Sequence, residues 1–325
     1  MRALITGVAG FVGSTLAERL LAGGAEVVGV DVLSDYYDPI RKRANLAAFE
    51  DRAGFSFAQD DLNAVDLNSV LDGVDVVFHQ AGQPGVRKSW GRDFDVYVDA
   101  NVRATQRLLE ACVEHPTVSR VVYASSSSVY GEAERYPTSE DDVPRPVSPY
   151  GVTKLAAEHL CSLYAANLGV PTVSLRYFTV YGPRQRPDMA FHRFVRAAVN
   201  DEPITVYGSG DQIRDFTYVD DVVEANVLAA TRPVPPGAVL NVAGGTSTSV
   251  NEVLEELTAI VGHALRVERH GKALGDVSRT GGATDRIRDT LGWAPRVSLA
   301  EGLRAEYAFF ARELAGGSTG EPVGR

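Results

Sequence analysis

Apolar residues in the first half of the chain come in short runs, separated by stretches in which they recur at helical spacing. Residues 2–7 are one such run, and Phe11, Leu16, Leu20 and Leu21 then mark a helix over 11–22. Gly23-Gly24 ends that helix, and 27–31 is a second apolar run. The theme repeats at 56–62, 76–81, 121–126 and 173–178, with helices clearest at 94–114 and 150–168. Short apolar strands alternating with amphipathic helices predict an α/β fold of Rossmann type. This is a doubly wound parallel sheet with helices on both faces.

The pattern changes after about residue 180, where Gly, Pro and charged residues increase. Strands shorten to 204–207, 239–242 and 265–268, and helices are predicted at 190–199, 219–231, 250–261 and 299–314. The expected organisation is a sheet domain over 1–180 and a smaller C-terminal α+β region over 181–314, with some later segments returning to the sheet. Residues 315–325 read as a flexible tail.

Composition narrows the function classes. A formal charge of −10 argues against nucleic acid or an anionic membrane surface as the main partner. Cys112 and Cys161 stand far apart without a CxxC pair or a nearby His, so no metal site is expected. The opening Met1–Ile5 reads as strand rather than signal peptide, and no apolar run is long enough to span a bilayer, so the expected location is the cytoplasm.

Residues 6–13 read Thr-Gly-Val-Ala-Gly-Phe-Val-Gly, between a strand and a helix. Gly7, Gly10 and Gly13, with Phe11 and Val12, suit a sharp turn, a close approach to a pyrophosphate and tight helix–strand packing. Phosphates would meet free N–H groups at the positive end of the helix. The next strand ends in Asp31, whose carboxylate would accept from ribose hydroxyls and repel a 2′-phosphate. NAD is therefore the expected cofactor, although Arg41, Lys42 and Arg43 follow closely.

Tyr150 and Lys154 stand four apart on a predicted helix and so share a face. An ammonium there would favour phenolate over phenol and make Tyr150 a base near neutral pH. A Ser hydroxyl at the end of the preceding strand would hold a reacting substrate hydroxyl beside it. From residue 1 to about 312 the chain resembles an extended short-chain dehydrogenase/reductase of the nucleotide-sugar epimerase/dehydratase family. The resemblance rests on the glycine loop, Ser-Val-Tyr-Gly at 128–131, Ser-Pro-Tyr-Gly-Val-Thr-Lys at 148–154, Arg-Tyr-Phe-Thr-Val-Tyr-Gly-Pro at 176–183, Arg-Asp-Phe-Thr-Tyr-Val-Asp-Asp at 214–221 and Leu-Gly-Trp-Ala-Pro at 291–295.

The resemblance implies further roles. Asp61 and Leu62 would flank the adenine; Gln80, Ala81, Gly82 and Gln83 would line the cofactor's middle, with Asn101 and Tyr123 nearby. Lys154 would also hold the nicotinamide ribose, and Tyr177 would approach the nicotinamide. Helices near 94–115 and 150–168 would build the four-helix bundle of a homodimer. Ser126 takes the family's catalytic Ser/Thr position, and Ser127 and Ser128 stand where dehydratases carry Asp-Glu. With no acid there, C4 oxidation, rotation of the ketone and reduction from its other face remain.

The substrate implied is a UDP-sugar, met by Arg87, Met189, Val206, Tyr207 and Arg214. Asp35-Tyr36-Tyr37-Asp38-Pro39 and Gln83-Pro84-Gly85-Val86-Arg87-Lys88-Ser89 resemble segments of UDP-glucuronate 4-epimerases. Ser127, Ser128, Thr179 and Arg186 would bind a C6 carboxylate. UDP-glucuronate is the first expectation and UDP-glucose/galactose the second. A nucleotide-sugar 4-ketoreductase and a non-catalytic dinucleotide sensor stay open as alternatives. The resemblance breaks at Thr280-Gly281-Gly282-Ala283, where the family carries Tyr-Ala-Asp; Lys272 is a candidate cation beside it.

Overall fold

Apolar runs without alternation need cover on both faces, and the chain supplies it. β1 (Arg2–Thr6), β2 (Glu26–Val30), β3 (Phe55–Ala58), β4 (Val76–His79), β5 (Arg120–Ser126) and β6 (Thr172–Tyr177) join the strand Ala238–Val242 in one sheet. The order is β3, β2, β1, β4, β5, β6, Ala238–Val242, and every pair is parallel. Along β1, Ala3 and Ile5 enter one core with Leu16 and Val222. Leu4, between them, enters the opposite core with Leu108 and Cys161. The strand order reverses beside β1, which places a crevice at the carboxyl ends of β1 and β4. This is the doubly wound α/β fold that the strand–helix alternation predicts.

The computed structural model describes residues 1–271 and 277–317, the side chains of 315–317 excepted. Lys272 lies outside the described residues. Among these residues no helix is long and apolar enough to cross a membrane.

Several boundaries differ from expectation. β3 stops at Ala58, because the polar Gln59, Asp60 and Asp61 lead into a turn over 62–64, whose Asn63 N–H donates to the Asp61 carboxylate at 2.8 Å. The helix expected over 94–114 is Phe94–Tyr97, a π-helical turn Val98–Arg103, then Ala104–Glu114. The final helix runs Leu299–Gly317, so 315–317 are helical rather than tail, and 318–325 lie outside the described residues. The strand expected at 265–268 is Val267–His270, paired in parallel with Ile204–Tyr207. Pro39–Ala47 is a helix that weak apolar periodicity hides. Its signal is a cap: Asp38 accepts the Ile40 N–H at 3.0 Å, and Pro39 opens the first turn.

The Thr280–Ala283 departure has a packing reason. A Cβ at Gly282 would stand 2.6 Å from the Phe178 ring, and the Gly282 N–H donates to Asp215 Oδ2 at 3.3 Å. Glycine lets this segment lie flat against the residue that follows β6.

The helix Pro149–Leu168 is fixed by a buried ion pair. Arg176 of β6 donates from Nη2 to Glu158 Oε1 at 2.6 Å and from Nε to Oε2 at 3.0 Å. Ser125 Oγ of β5 donates to the same carboxylate at 2.6 Å, and Arg176 Nη1 donates to the Tyr130 hydroxyl at 2.7 Å. Tyr130 passes a further bond to Asn241 Oδ1 at 2.8 Å. Removing one partner of such a pair strands a buried charge. Glu158→Gln is expected to lower unfolding free energy by about 3–5 kcal/mol, read by chemical denaturation of the purified chain.

Candidate active site

The helix Pro149–Leu168 begins at a strong local signal. Ser148 caps it, accepting the Gly151 N–H at 3.1 Å, and Pro149 fills the first turn. Tyr150 therefore sits in the first turn and Lys154 one turn on. A Cβ at Gly151 would stand 2.6 Å from the Ser128 carbonyl oxygen, so glycine lets this helix end meet the serine segment after β5. There the Ser126 hydroxyl accepts the Ser128 N–H at 3.1 Å and shares a cavity wall with Tyr150.

Two adjoining cavities meet at Tyr150. The smaller, about 150 Å³, is walled by Gly7, Gly10, Phe11, Val12, Gly13, Gln80, Gly82, Gln83, Lys154 and Tyr177. The larger, about 540 Å³, is walled by Ser126, Ser127, Ser128, Thr179, Arg87, Arg186, Met189, Val206, Tyr207 and Arg214. Phe11, Val12, Pro84, Ser125, Tyr150, Tyr177 and Arg186 line both. Asp31, Asp61, Leu62, Ala81, Asn101 and Tyr123 line neither.

The smaller cavity has the chemistry of a dinucleotide cradle. Gly7 turns at φ +71°, and a Cβ there would stand 2.7 Å from the Ala81 nitrogen. At Gly13 it would stand 2.1 Å from the Gly7 carbonyl oxygen, so the helix Phe11–Ala22 rests directly on the turn. No described side chain caps that helix, which leaves its first-turn N–H groups for an anion. Asp31 is buried at the end of β2, where its oxygens accept the Ala9 N–H at 3.1 Å and the Leu33 N–H at 2.8 Å. Each oxygen keeps a second lone pair for a ribose hydroxyl.

The basic run beside Asp31 is already engaged. Lys42 donates to Ser34 Oγ at 2.9 Å and stands 4.0 Å from Asp31. Arg41 pairs with Glu313 at 3.7 Å, and Arg43 donates to Gln59 at 3.1 Å. Asn101 works from behind the cradle. Its side chain accepts the Gln83 N–H at 2.7 Å, returns a bond to the Gln83 carbonyl at 3.1 Å and reaches Thr153 Oγ1 at 3.0 Å. Gln80 and Tyr177 are locked together through Asn226, with bonds of 2.9 Å from each.

The expected electrostatics of Tyr150 needs correction. Burial dominates at this phenol and raises its pKa, against the Ser126 hydrogen bond and the Arg186 charge, which lower it. Lys154 is itself buried, and desolvation lowers its pKa to about 8. Its Nζ lies 4.8 Å from the centre of the Tyr123 ring, so Tyr123 supports the lysine from below. Helical spacing correctly puts Tyr150 and Lys154 on one face, but it contains no measure of desolvation.

Two residues outside the predicted set shape the larger cavity. Asp188 takes the Arg186 guanidinium in a two-point grip, Nε to Oδ1 at 3.0 Å and Nη2 to Oδ2 at 3.0 Å. Tyr36 lines the same wall and donates to Asp188 Oδ2 at 3.4 Å. Arg186 is therefore a paired cation, which sequence spacing alone did not reveal. Arg87 lies 4.6 Å over the Tyr207 ring, and Arg214 donates to the carbonyls of Ile213 at 2.9 Å and Val277 at 2.8 Å.

Residues 3–243 match the model of the NAD dependent epimerase/dehydratase family. The chain belongs to this family. Its NAD dependence agrees with the glycine cradle and with Asp31. A crystal structure of UDP-glucuronic acid 4-epimerase from Bacillus cereus, in complex with UDP-glucuronic acid and NAD, superposes with a TM-score of 0.93 at 42% identity, over 96% of this chain and 100% of the other. The uncharacterized UDP-glucose epimerase YtcB of Bacillus subtilis is 42% identical, over 96% of this chain and 98% of that protein. The UDP-glucuronate 4-epimerase of Thermodesulfobacterium geofontis is 37% identical, over 93% of each.

This NAD-dependent epimerase/dehydratase member carries a stability cost at its lysine. The unfolded-state lysine pKa is about 10.4, so between pH 8 and that value the unfolded chain binds more protons at this position than the folded one. Wild-type stability from this group therefore rises with pH across that window. Lys154→Met is expected to stabilise the fold at pH 7 by about 1–3 kcal/mol, with the gain vanishing above the window. Denaturant titrations at several pH values measure it.

Proposed function

We propose that the chain catalyses the NAD-dependent 4-epimerisation of UDP-glucuronate to UDP-galacturonate. The observation that carries this reading is the position of Tyr150 in the wall shared by the dinucleotide cradle and the larger cavity. A sugar in the larger cavity would present C4 to the cradle there.

NAD bound along the glycine loop supplies the acceptor and donor for the C4 hydride, and its positive ring favours the phenolate of Tyr150. Ser126 Oγ orients the C4 hydroxyl and Tyr150 takes its proton. Lys154, buried beside the cradle, holds the ribose and keeps positive charge close to the phenol. Once the ketone has turned over, Tyr150 returns the proton to O4. Asp31 holds the adenosine ribose. Asp61 and Leu62 flank the adenine, while Ala81, Asn101 and Tyr123 hold the middle of the cradle in shape.

Ser127, Ser128, Thr179 and Arg186 face the sugar's C6 group, and Arg87, Met189, Val206, Tyr207 and Arg214 take the UDP end. Among the described residues lining the larger cavity, Asp188 is the one carboxyl group, and Arg186 holds it ionised. A protonated acid for dehydration or for protonating a decarboxylated sugar is not among them. UDP-glucose/UDP-galactose, whose sugar carries no charge, is the second reading, because Asp188 already fills the Arg186 fork. A 4-ketoreductase would instead consume reductant and release its cofactor each turn.

The reading extends to assembly. Val152, His159 and Leu163 form an exposed stripe on the helix Pro149–Leu168, with Val96 and Val113 exposed on the neighbouring helical segments. Such a stripe suits a four-helix bundle between two copies, and we place this homodimer in the cytoplasm. Residues 1–180, with the returning strand, are taken as the NAD domain and 181–314 as the nucleotide-sugar region.

The test offers UDP-glucuronate, UDP-glucose and UDP-N-acetylglucosamine separately, without added reductant, and resolves products by chromatography. UDP-galacturonate from the first substrate is the expected result; a UDP-pentose, or no product, would contradict the reading. Tyr150→Phe is expected to retain NAD and lose about 10²–10⁴-fold in turnover.

A further inference from the structure

A sugar that must turn over inside a pocket cannot stay bound to one rigid clamp. If Arg186 gripped a C6 carboxylate at two points throughout the reaction, it would pin the ring against the rotation that exposes the other face of C4. If Arg186 simply let go, a largely buried guanidinium would be left without a counter-charge. The structure contains a group placed to solve both problems.

Asp188 lies two residues from Arg186, and a turn closed by the Met189 N–H on the Arg186 carbonyl at 3.1 Å joins them. It fills the guanidinium fork with two parallel bonds of 3.0 Å, the geometry a substrate carboxylate would use. Both side chains keep some contact with water, at 21% exposure for Arg186 and 29% for Asp188. A displaced Asp188 therefore has solvent and the Tyr36 hydroxyl, 3.4 Å away, to receive its charge. Tyr36 is itself held in place: Lys88 lies 4.6 Å over its ring, and its hydroxyl stands 2.1 Å from where a Cβ at Gly85 would be.

We propose that Asp188 is an internal substitute for the substrate's carboxylate, filling the Arg186 fork whenever the C6 carboxylate leaves it and yielding when that carboxylate returns. This inference rests on the UDP-glucuronate reading above. Asp188 acts through Arg186 and is a positioning residue, and its consequence is specificity. It lets the cavity accept and release an acidic sugar without ever holding an unpaired cation.

The test measures calorimetric affinity of the NAD-loaded protein for UDP-glucuronate and UDP-glucose in a Tyr150→Phe background, with and without Asp188→Asn. Turnover is measured with Tyr150 intact. Freeing the fork is expected to tighten UDP-glucuronate about tenfold while UDP-glucose stays within about twofold. The kcat for UDP-glucuronate falls as release slows, and Asp188→Glu restores both values toward wild type. Equal shifts for both sugars, or weaker UDP-glucuronate binding, would overturn the exchange while wild-type turnover of UDP-glucuronate stands. Absence of that wild-type turnover would instead remove the substrate reading beneath it.

Discussion

The geometry of this site depends on one buried ion pair, Glu158 with Arg176. Glu158 lies one turn beyond Lys154, on the helix that carries Tyr150. Arg176 lies on β6, immediately before Tyr177. The pair therefore ties the helix bearing Tyr150 to the strand that ends at the cradle. Ser125 joins the same carboxylate from β5, one residue before Ser126. A single charged cluster thus fixes the origins of Tyr150, Ser126 and Tyr177 relative to one another. Hydrophobic packing alone is weakly directional, and it would leave the helix free to slide by fractions of an ångström. Fork geometry at Arg176 does not allow that sliding.

Glycines set the remaining distances by omission. Gly13 brings the first helix onto the turn, Gly151 brings the Tyr150 helix onto Ser128, and Gly282 lets the C-terminal segment lie on Phe178. Each would collide with backbone or ring atoms if it carried a Cβ. Close backbone approach at all three places follows from residue identity, before any ligand is considered.

Much of this was legible in the chain. Unbroken apolar runs gave the parallel sheet, because strands covered on both faces have no polar alternation. Gly7, Gly10 and Gly13 with Asp31 gave the cradle, and the Tyr150–Lys154 spacing gave the shared face. Other features were hidden for physical reasons. Desolvation of Tyr150 and Lys154 depends on what packs around them, and spacing carries no such information. Asp188 lies two residues from Arg186 in sequence, yet pairing required the turn that brings their side chains together. Tyr36 reaches the cavity from a segment about 150 residues before Asp188, so only the fold relates them. Gly282 showed in the chain only as a departure from the family's Tyr-Ala-Asp, and its packing on Phe178 needs the fold.

In the proposed epimerisation Tyr150 moves a proton while the C4 hydrogen never leaves the protein. UDP-glucuronate carrying deuterium at C4, converted in ordinary water, tests this directly by mass spectrometry and NMR of the product. UDP-galacturonate that keeps its deuterium at C4, with no build-up of free reduced cofactor, is the predicted result. Protium at C4 of the product would contradict the account.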